Sequence, residues 1–160
     1  MSSVVKIYRR SIKKSTSIYD LKAIVVMIVL FLLVTIGCPE YFVAFFVIEL
    51  CVLFLFVACT ATQLFYVVLT KNSLIVRNPA YRFWHAEFQF STIEKIEIGY
   101  KGGLSRPYIQ VMTPAKKSWR YVIDLVDERD YPDLIQTLRE KGFTVKTPGL
   151  HHILNRHENL

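Results

Sequence analysis

Cysteine is scarce, with three in 160 residues. Cys38, Cys51 and Cys59 all fall in or beside apolar runs, so neither a disulfide framework nor a zinc-ligand spacing can be drawn from them. The six glycines form no phosphate-cradling loop, and there is no nucleophile elbow, no His-Glu-x-x-His pair and no carboxylate pair on a shared apolar face. An enzyme is therefore not expected, nor is a cofactor. Basic residues do not form a stripe with interleaved aromatics, which argues against nucleic acid as a partner. His85 has no Cys or Asp at ligand spacing, and His151, His152 and His157 sit in a weakly patterned tail, so no metal site is expected. The acidic run Asp124, Asp127, Glu128 and Asp130 surrounds an expected helix N-terminus, where the helix dipole stabilises carboxylates without any catalytic duty.

What the chain has in excess is apolar surface: 52% hydrophobic residues and a mean hydropathy of +0.32, concentrated between Leu21 and Leu69. Leu21 to Gly37 is long enough to span a bilayer. Cys38-Pro39-Glu40 interrupts it with a helix breaker and a charge, and Tyr41 to Ala61 supplies a second run. Residues 21–63 thus read as a tight transmembrane hairpin, with helices at about 21–37 and 41–62. A cleaved signal peptide is the rival reading of the first run. Its apolar stretch is longer than a signal core, no small-x-small cleavage site follows, and a second span comes at once.

Charge then sets the expected orientation. Residues 1–22 carry six Lys/Arg against one Asp, residues 71–148 carry 13 against nine Asp/Glu, and the connecting turn carries none. Both termini are expected in the cytoplasm. In residues 1–20 the apolar Val4, Val5, Tyr8, Ile12 and Tyr19 recur at three- and four-residue steps among Lys6, Arg9, Arg10, Lys13 and Lys14. That arm reads either as an amphipathic helix on an anionic leaflet or as a disordered basic segment that only fixes topology. Glu49 is the one ionisable group at depth, roughly 12 Å along the second helix at the helical rise. Desolvation requires it to be neutral, to face the partner helix or to line an assembly interface, unless it lies near the outer interface and finds water or a Thr hydroxyl.

From Leu64 the pattern changes to alternation. Phe65 to Leu69 and Leu74 to Val76 flank Lys71-Asn72 as a hairpin, and Asn78-Pro79 turns the chain again. Tyr81 to Phe90 then alternates, with Trp84, Ala86, Phe88 and Phe90 on one face. Ile93 to Tyr100 leads to Gly102-Gly103, and Ile109 and Val111 share a face of a fifth strand closed by Thr113-Pro114. In a sixth strand, Trp119, Tyr121, Ile123 and Leu125 point one way while Arg120 and Asp124 point the other. A helix over about 130–141 follows, with Asp130 and Asp133 as a capping box, Tyr131, Leu134, Ile135 and Leu138 as its apolar stripe and Gly142 as its stop. Phe143 and Val145 add a last short contact, and 147–160 reads as a flexible tail.

Two helices, then Tyr66-Val67-Val68-Leu69-Thr70 with Leu74-Ile75-Val76 across a short turn, then Phe88 to Ile98 with its Ile-x-x-Ile spacing, then a capping helix: this order resembles the membrane-associated bacterial PH-like domain proteins, over roughly residues 64–145. The resemblance implies an α+β domain over 64–146, a bent antiparallel sheet or partial barrel of about seven strands closed by the C-terminal helix, in a bacterial inner membrane. Phosphoinositide binding does not carry over, because the first turn, Lys71-Asn72-Ser73, is too short and too sparsely charged.

Lys101 and Arg106 flank the Gly-Gly turn, and Lys116, Lys117 and Arg120 follow Thr113-Pro114. If those hairpins share one end they form a surface for lipid head groups or an acidic partner, the alternative being ordinary solvated turns. The expectation is a non-catalytic membrane-anchored module that presents a rigid surface to lipid, to a protein partner or to other copies of itself. The competing expectation is a ligand-triggered membrane effector, similar to antiphage proteins whose two helices carry a small β-barrel sensing a cyclic nucleotide.

Overall fold

A computed structural model describes residues 4–35, 42–100 and 106–151. The Cys38-Pro39-Glu40 break, Lys101 with the Gly102-Gly103 turn, and residues 152–160 lie outside the described residues; of the tail expected from Thr147, Leu150 is buried in the core and Pro148 O accepts the Tyr100 N–H at 3.0 Å.

Helix α1 spans Thr16–Thr35 and α2 spans Phe42–Ala61, both long and apolar enough to cross a membrane. At the helical rise, twenty residues cover about 30 Å, the thickness of a hydrocarbon core. Val26, Met27, Leu30 and Leu33 on α1, and Val43, Phe54 and Leu55 on α2, are exposed. A helix that is apolar all round and uncovered by protein needs another apolar medium around it. Phe31 meets Phe45 edge-on, with ring centroids 6.0 Å apart, where the two helices pack. Helix α1 starts five residues before the apolar run, at a cap described below.

The other described residues form an α+β unit of two open four-stranded sheets and one α-helix. In the first sheet, β1 (Val4–Tyr8), β2 (Tyr66–Thr70), β3 (Ser73–Arg77) and β4 (His85–Gln89) are antiparallel in that order. The second has the order β7 (Tyr121–Val122), β6 (Pro107–Met112), β5 (Lys95–Tyr100), β8 (Thr144–Lys146), with β8 parallel to β5. Helix α3 (Tyr131–Glu140) covers them. Val67, Leu69, Leu74 and Val76 of one sheet and Ile96, Ile98, Ile109 and Val111 of the other share a core with Tyr131, Leu134, Ile135 and Leu138 of α3. The sheets meet at a corner where Leu64 bridges Ile123 and the Phe65 N–H donates to Val122 O at 3.2 Å.

Several expectations are corrected here. The α+β unit with a C-terminal helix is present, and in place of one bent sheet or partial barrel of about seven strands it has two open sheets with eight described strands. Within the arm expected over residues 1–20, Val4–Tyr8 is the edge strand of the first sheet, Tyr8 opposite Val67 and Lys6 opposite Leu69, while Ile12–Lys14 form a 3-10 turn and residues 16–20 already belong to α1. The β-branched and aromatic residues of Val4–Tyr8 fit a pleated edge, and an unpaired β2 would otherwise expose its backbone donors and acceptors. Tyr81–Trp84 is a loop instead of the start of β4, because the Asn78 side-chain oxygen accepts the N–H groups of Ala80 at 2.9 Å and Tyr81 at 3.2 Å. The sixth strand shrinks to Tyr121–Val122. Trp119 is 83% exposed, while Ile123 and Leu125 are buried where the chain crosses between sheets.

Helix α3 lacks the expected capping box. Asp130 is already helical and makes no side-chain cap; Asp127 instead accepts the Arg129 N–H at 3.2 Å in the preceding 3-10 turn, and Asp133 faces β1. The expected stop is present. Gly142 adopts φ +89°, its N–H donates to Arg139 O, and the Phe143 N–H donates to Leu138 O, a Schellman closure that a side chain at Gly142 would strain.

Burial of the tyrosines makes stability sensitive to alkali. Tyr100 is pushed up to about 12 by burial, Tyr108 to about 12 by burial and by its hydrogen bond to Glu97, and Tyr131 well above the usual value by burial. In the unfolded chain each would release its proton near pH 10, earlier than in the fold. Their contribution is therefore complete below about pH 10 and declines as pH rises toward 12. Thermal melts across that window should show a falling melting temperature, with tyrosinate absorbance lagging the free amino acid.

Candidate functional site

The junction between the helices and the domain is built on one carboxylate. Asp124, 1% exposed, follows Tyr121–Val122 at the corner between the sheets. Its Oδ1 accepts Arg10 Nη2 at 2.9 Å and the Thr16 N–H at 3.3 Å, and its Oδ2 accepts the Ser17 N–H at 2.8 Å. Arg10 also donates from Nε to the Asp124 carbonyl at 2.9 Å and from its backbone N–H to Leu125 O at 2.7 Å. Thr16 and Ser17 are the first two residues of α1. The Ile18 N–H is shared between the Ser15 carbonyl at 3.2 Å and Ser15 Oγ at 3.3 Å, so Ser15 is the local cap. A carboxylate against a helix N-terminus is favoured by the unpaired N–H groups and by the macrodipole. Here that carboxylate comes from the α+β domain, so capping α1 also fastens the domain to it.

Other contacts reinforce the junction. Arg106, at the start of β6, donates from Nη1 to Ser17 Oγ at 2.8 Å and pairs with Asp20 one turn into α1. Asn78 Nδ2 donates to Ala61 O, at the last residue of α2, at 2.7 Å. On β1, Lys6 pairs with Asp133 of α3 at 2.5 Å, and Tyr8 Oη donates to Asp133 Oδ2 at 2.8 Å and meets Thr137 Oγ1 at 3.2 Å. The Lys6 bond holds Asp133 below the usual carboxylate range and raises Lys6.

The cations expected to share one end of the domain are divided. Arg106 is committed to α1. Lys116 and Lys117 lie at the other end of β6, about 20 Å away at the strand rise over six residues, while Arg120 lies alongside the middle of the strand. Lys116 and Lys117 are exposed on the turn after β6, and the Arg120 guanidinium lies 5.0 Å from the Tyr108 ring centre, its Nε donating to Gln110 Oε1 at 3.4 Å. Trp119 stands beside them. In the arm, Lys6 and Arg10 are tied into the domain, and Arg9 lies over the Tyr66 ring at 4.9 Å. Lys13 and Lys14 are exposed in the 3-10 turn before α1. Glu49 faces α1 across a cleft of about 600 Å³ shared with Ile24, Met27, Ile28 and Phe31. It is 7% exposed, and neither carboxylate oxygen has a hydrogen-bond partner among the described residues.

The sequence reading set Asp124 opposite the apolar face of a strand and in the acidic run before α3, and missed its role as a cap of α1. The signal that could have found it is its setting in Ile123-Asp124-Leu125-Val126, a lone carboxylate inside an apolar run. Also missed is the convergence of Arg9, Arg77, Arg82 and His85 on one cleft.

The fold and junction define a class: two helices long and apolar enough to cross a membrane, clasped without a free linker to an α+β domain of two open sheets. Compared with protein-family models, with curated proteins and with solved structures, the chain matches none.

Proposed function

We propose that this chain is a non-enzymatic, membrane-anchored binding or scaffolding module. The helical pair fixes it in a bacterial inner membrane with both termini cytoplasmic, and a PH-like domain presents a rigid surface at the bilayer to lipid head groups, a protein partner or other copies of itself. The observation that carries this reading is the Asp124 clasp. A domain meant to reach distant partners needs a flexible tether, whereas a buried ion pair that also caps the anchoring helix holds the domain in one pose against the membrane. Two sheets followed by a C-terminal covering helix support the PH-like resemblance, although the N-terminal edge strand and the parallel β8 depart from it. The rival effector reading needs a closed sensing barrel, and open sheets speak against that.

Extraction in mild detergent followed by size-exclusion chromatography with light scattering tests the scaffold role. Recovery of a complex or an oligomer is expected, and a persistently monomeric, partnerless species would count against it. A reporter fused after Leu160 should lie in the cytoplasm.

A further inference from the structure

Three arginines and a histidine meet on the outer face of the first sheet without an acid among them. Tyr66, Arg77 and His85 lie side by side across β2, β3 and β4. Arg9, just past β1, lies over the Tyr66 ring, and Arg82 reaches in from the loop before β4. Together with Asn78 they line a cleft of about 490 Å³ that contains no carboxylate. The four ion pairs among the described residues engage Lys6, Arg10, Arg106 and Arg129, and none of these three arginines. Like charges gathered without a counter-charge repel one another, and a bound anion relieves that repulsion. Guanidinium groups are suited to phosphate, whose oxygens accept their paired N–H donors.

Position selects the source of the phosphate. The cleft's Asn78 is hydrogen-bonded to the carbonyl of Ala61, so the cleft opens within one side chain's reach of the end of α2. In the same loop Tyr81, Phe83 and Trp84 cluster, with centroids 5.7 Å and 6.1 Å from Tyr81, and Phe83 is 82% exposed. Exposed aromatic rings beside the end of a spanning helix belong at the head-group level of a bilayer. A cleft for a soluble phosphate would need no such apolar neighbour.

We propose that the cleft formed by Arg9, Arg77, Arg82 and His85 binds the phosphate of an anionic membrane phospholipid, with the Tyr81–Trp84 loop seated in the adjoining head-group layer. The inference rests on the membrane-anchored reading and deepens it by naming the lipid class.

The full-length chain, reconstituted in nanodiscs of phosphatidylglycerol and phosphatidylcholine, is released in a mass spectrometer and its retained lipids are counted. Phosphatidylglycerol should be retained in preference. The double substitution Arg77→Gln/Arg82→Gln should weaken that preference roughly tenfold, as expected for the loss of two charge-assisted contacts. Arg82→Gln alone, on an exposed loop, should weaken it by a smaller factor with an unchanged melting temperature. Lys116→Gln/Lys117→Gln should leave it intact. No preference in properly inserted protein, or a preference that survives the arginine double substitution, would overturn the proposal. Inorganic phosphate added to protein in pure phosphatidylcholine nanodiscs should leave the melting temperature unchanged; a clear rise abolished by the double substitution would assign the cleft to soluble phosphate instead. Failure of the chain to enter nanodiscs at all would refute the membrane reading itself, a result distinct from insertion without lipid preference.

Discussion

Asp124→Ala is expected to destabilise the protein by about 3–5 kcal/mol, the usual cost of removing one partner from a buried ion pair. The Arg10 guanidinium would remain largely enclosed, with 18% of its side chain exposed, and the Thr16 and Ser17 N–H groups would lose their acceptor. Asp124→Asn should lie between the two, because a neutral amide oxygen can accept one of these bonds but offers the arginine no charge. The full chain in detergent micelles, unfolded by urea and followed by tryptophan fluorescence, gives the stability change. Paired spin labels on exposed positions of α1 and β4 give the second readout, with a narrow distance distribution in the wild type that broadens in Asp124→Ala. An unchanged distribution in a destabilised variant would mean that Asp124 stabilises the domain without fixing its pose, and the rigid-surface reading would lose its support.

Tyr8→Ala should cost a similar amount, about 3–5 kcal/mol, as for other buried aromatic truncations. Its ring belongs to the core, and its hydroxyl serves Asp133 and Thr137 on α3. Tyr8→Phe isolates the hydroxyl and should cost about 1 kcal/mol. The comparison decides whether residues 4–8 are part of the domain: a change within about 0.5 kcal/mol for Tyr8→Ala, the range of ordinary surface positions, would return them to the status of a loose arm. Because Tyr8 and Arg10 hold the same short segment in place, combining Tyr8→Ala with Asp124→Ala should cost less than the sum.

Local patterns carried the reading wherever an element is decided by its own residues. The apolar runs mark both long helices because nothing but composition is needed to recognise them. The β2–β3 hairpin was visible because its partners are close in sequence, and the stripe of Tyr131, Leu134, Ile135 and Leu138 pointed inward as its spacing required. Patterns misled where two readings share the same residues. Val4 to Tyr8 is too short to distinguish a three-to-four-residue period from alternation, and its partner, β2, lies some sixty residues away. Trp119 satisfies the alternation of a strand that stops before reaching it, because β6 pairs with the chain only at Tyr121 and Val122 in that strand.

The candidate sites divide in the same way. Glu49 stood out because a carboxylate in an apolar run is conspicuous, and it lines a cleft together with residues of α1. Among the loop cations, Arg106 turns to α1 while Lys116 and Lys117 sit at the far end of β6; sequence proximity to two turns does not say at which end of a strand each turn lies. Arg9, Arg77, Arg82 and His85 came from segments as unlike as an edge strand and a loop, and only sheet register sets them side by side.

Hydropathy alone determined that this protein has two helices fit for a bilayer, because transfer of apolar side chains depends on composition and length and on little else. Alternation and turn residues determined most of the strands and α3. Tertiary structure decided that the N-terminal segment is an edge strand, that Asp124 is the cap of a distant helix, and that a cleft of arginines opens where α2 ends. Each of those depends on donors, acceptors or charges separated by many residues, whose pairing is settled only when the two sheets, α3 and the helix ends come together.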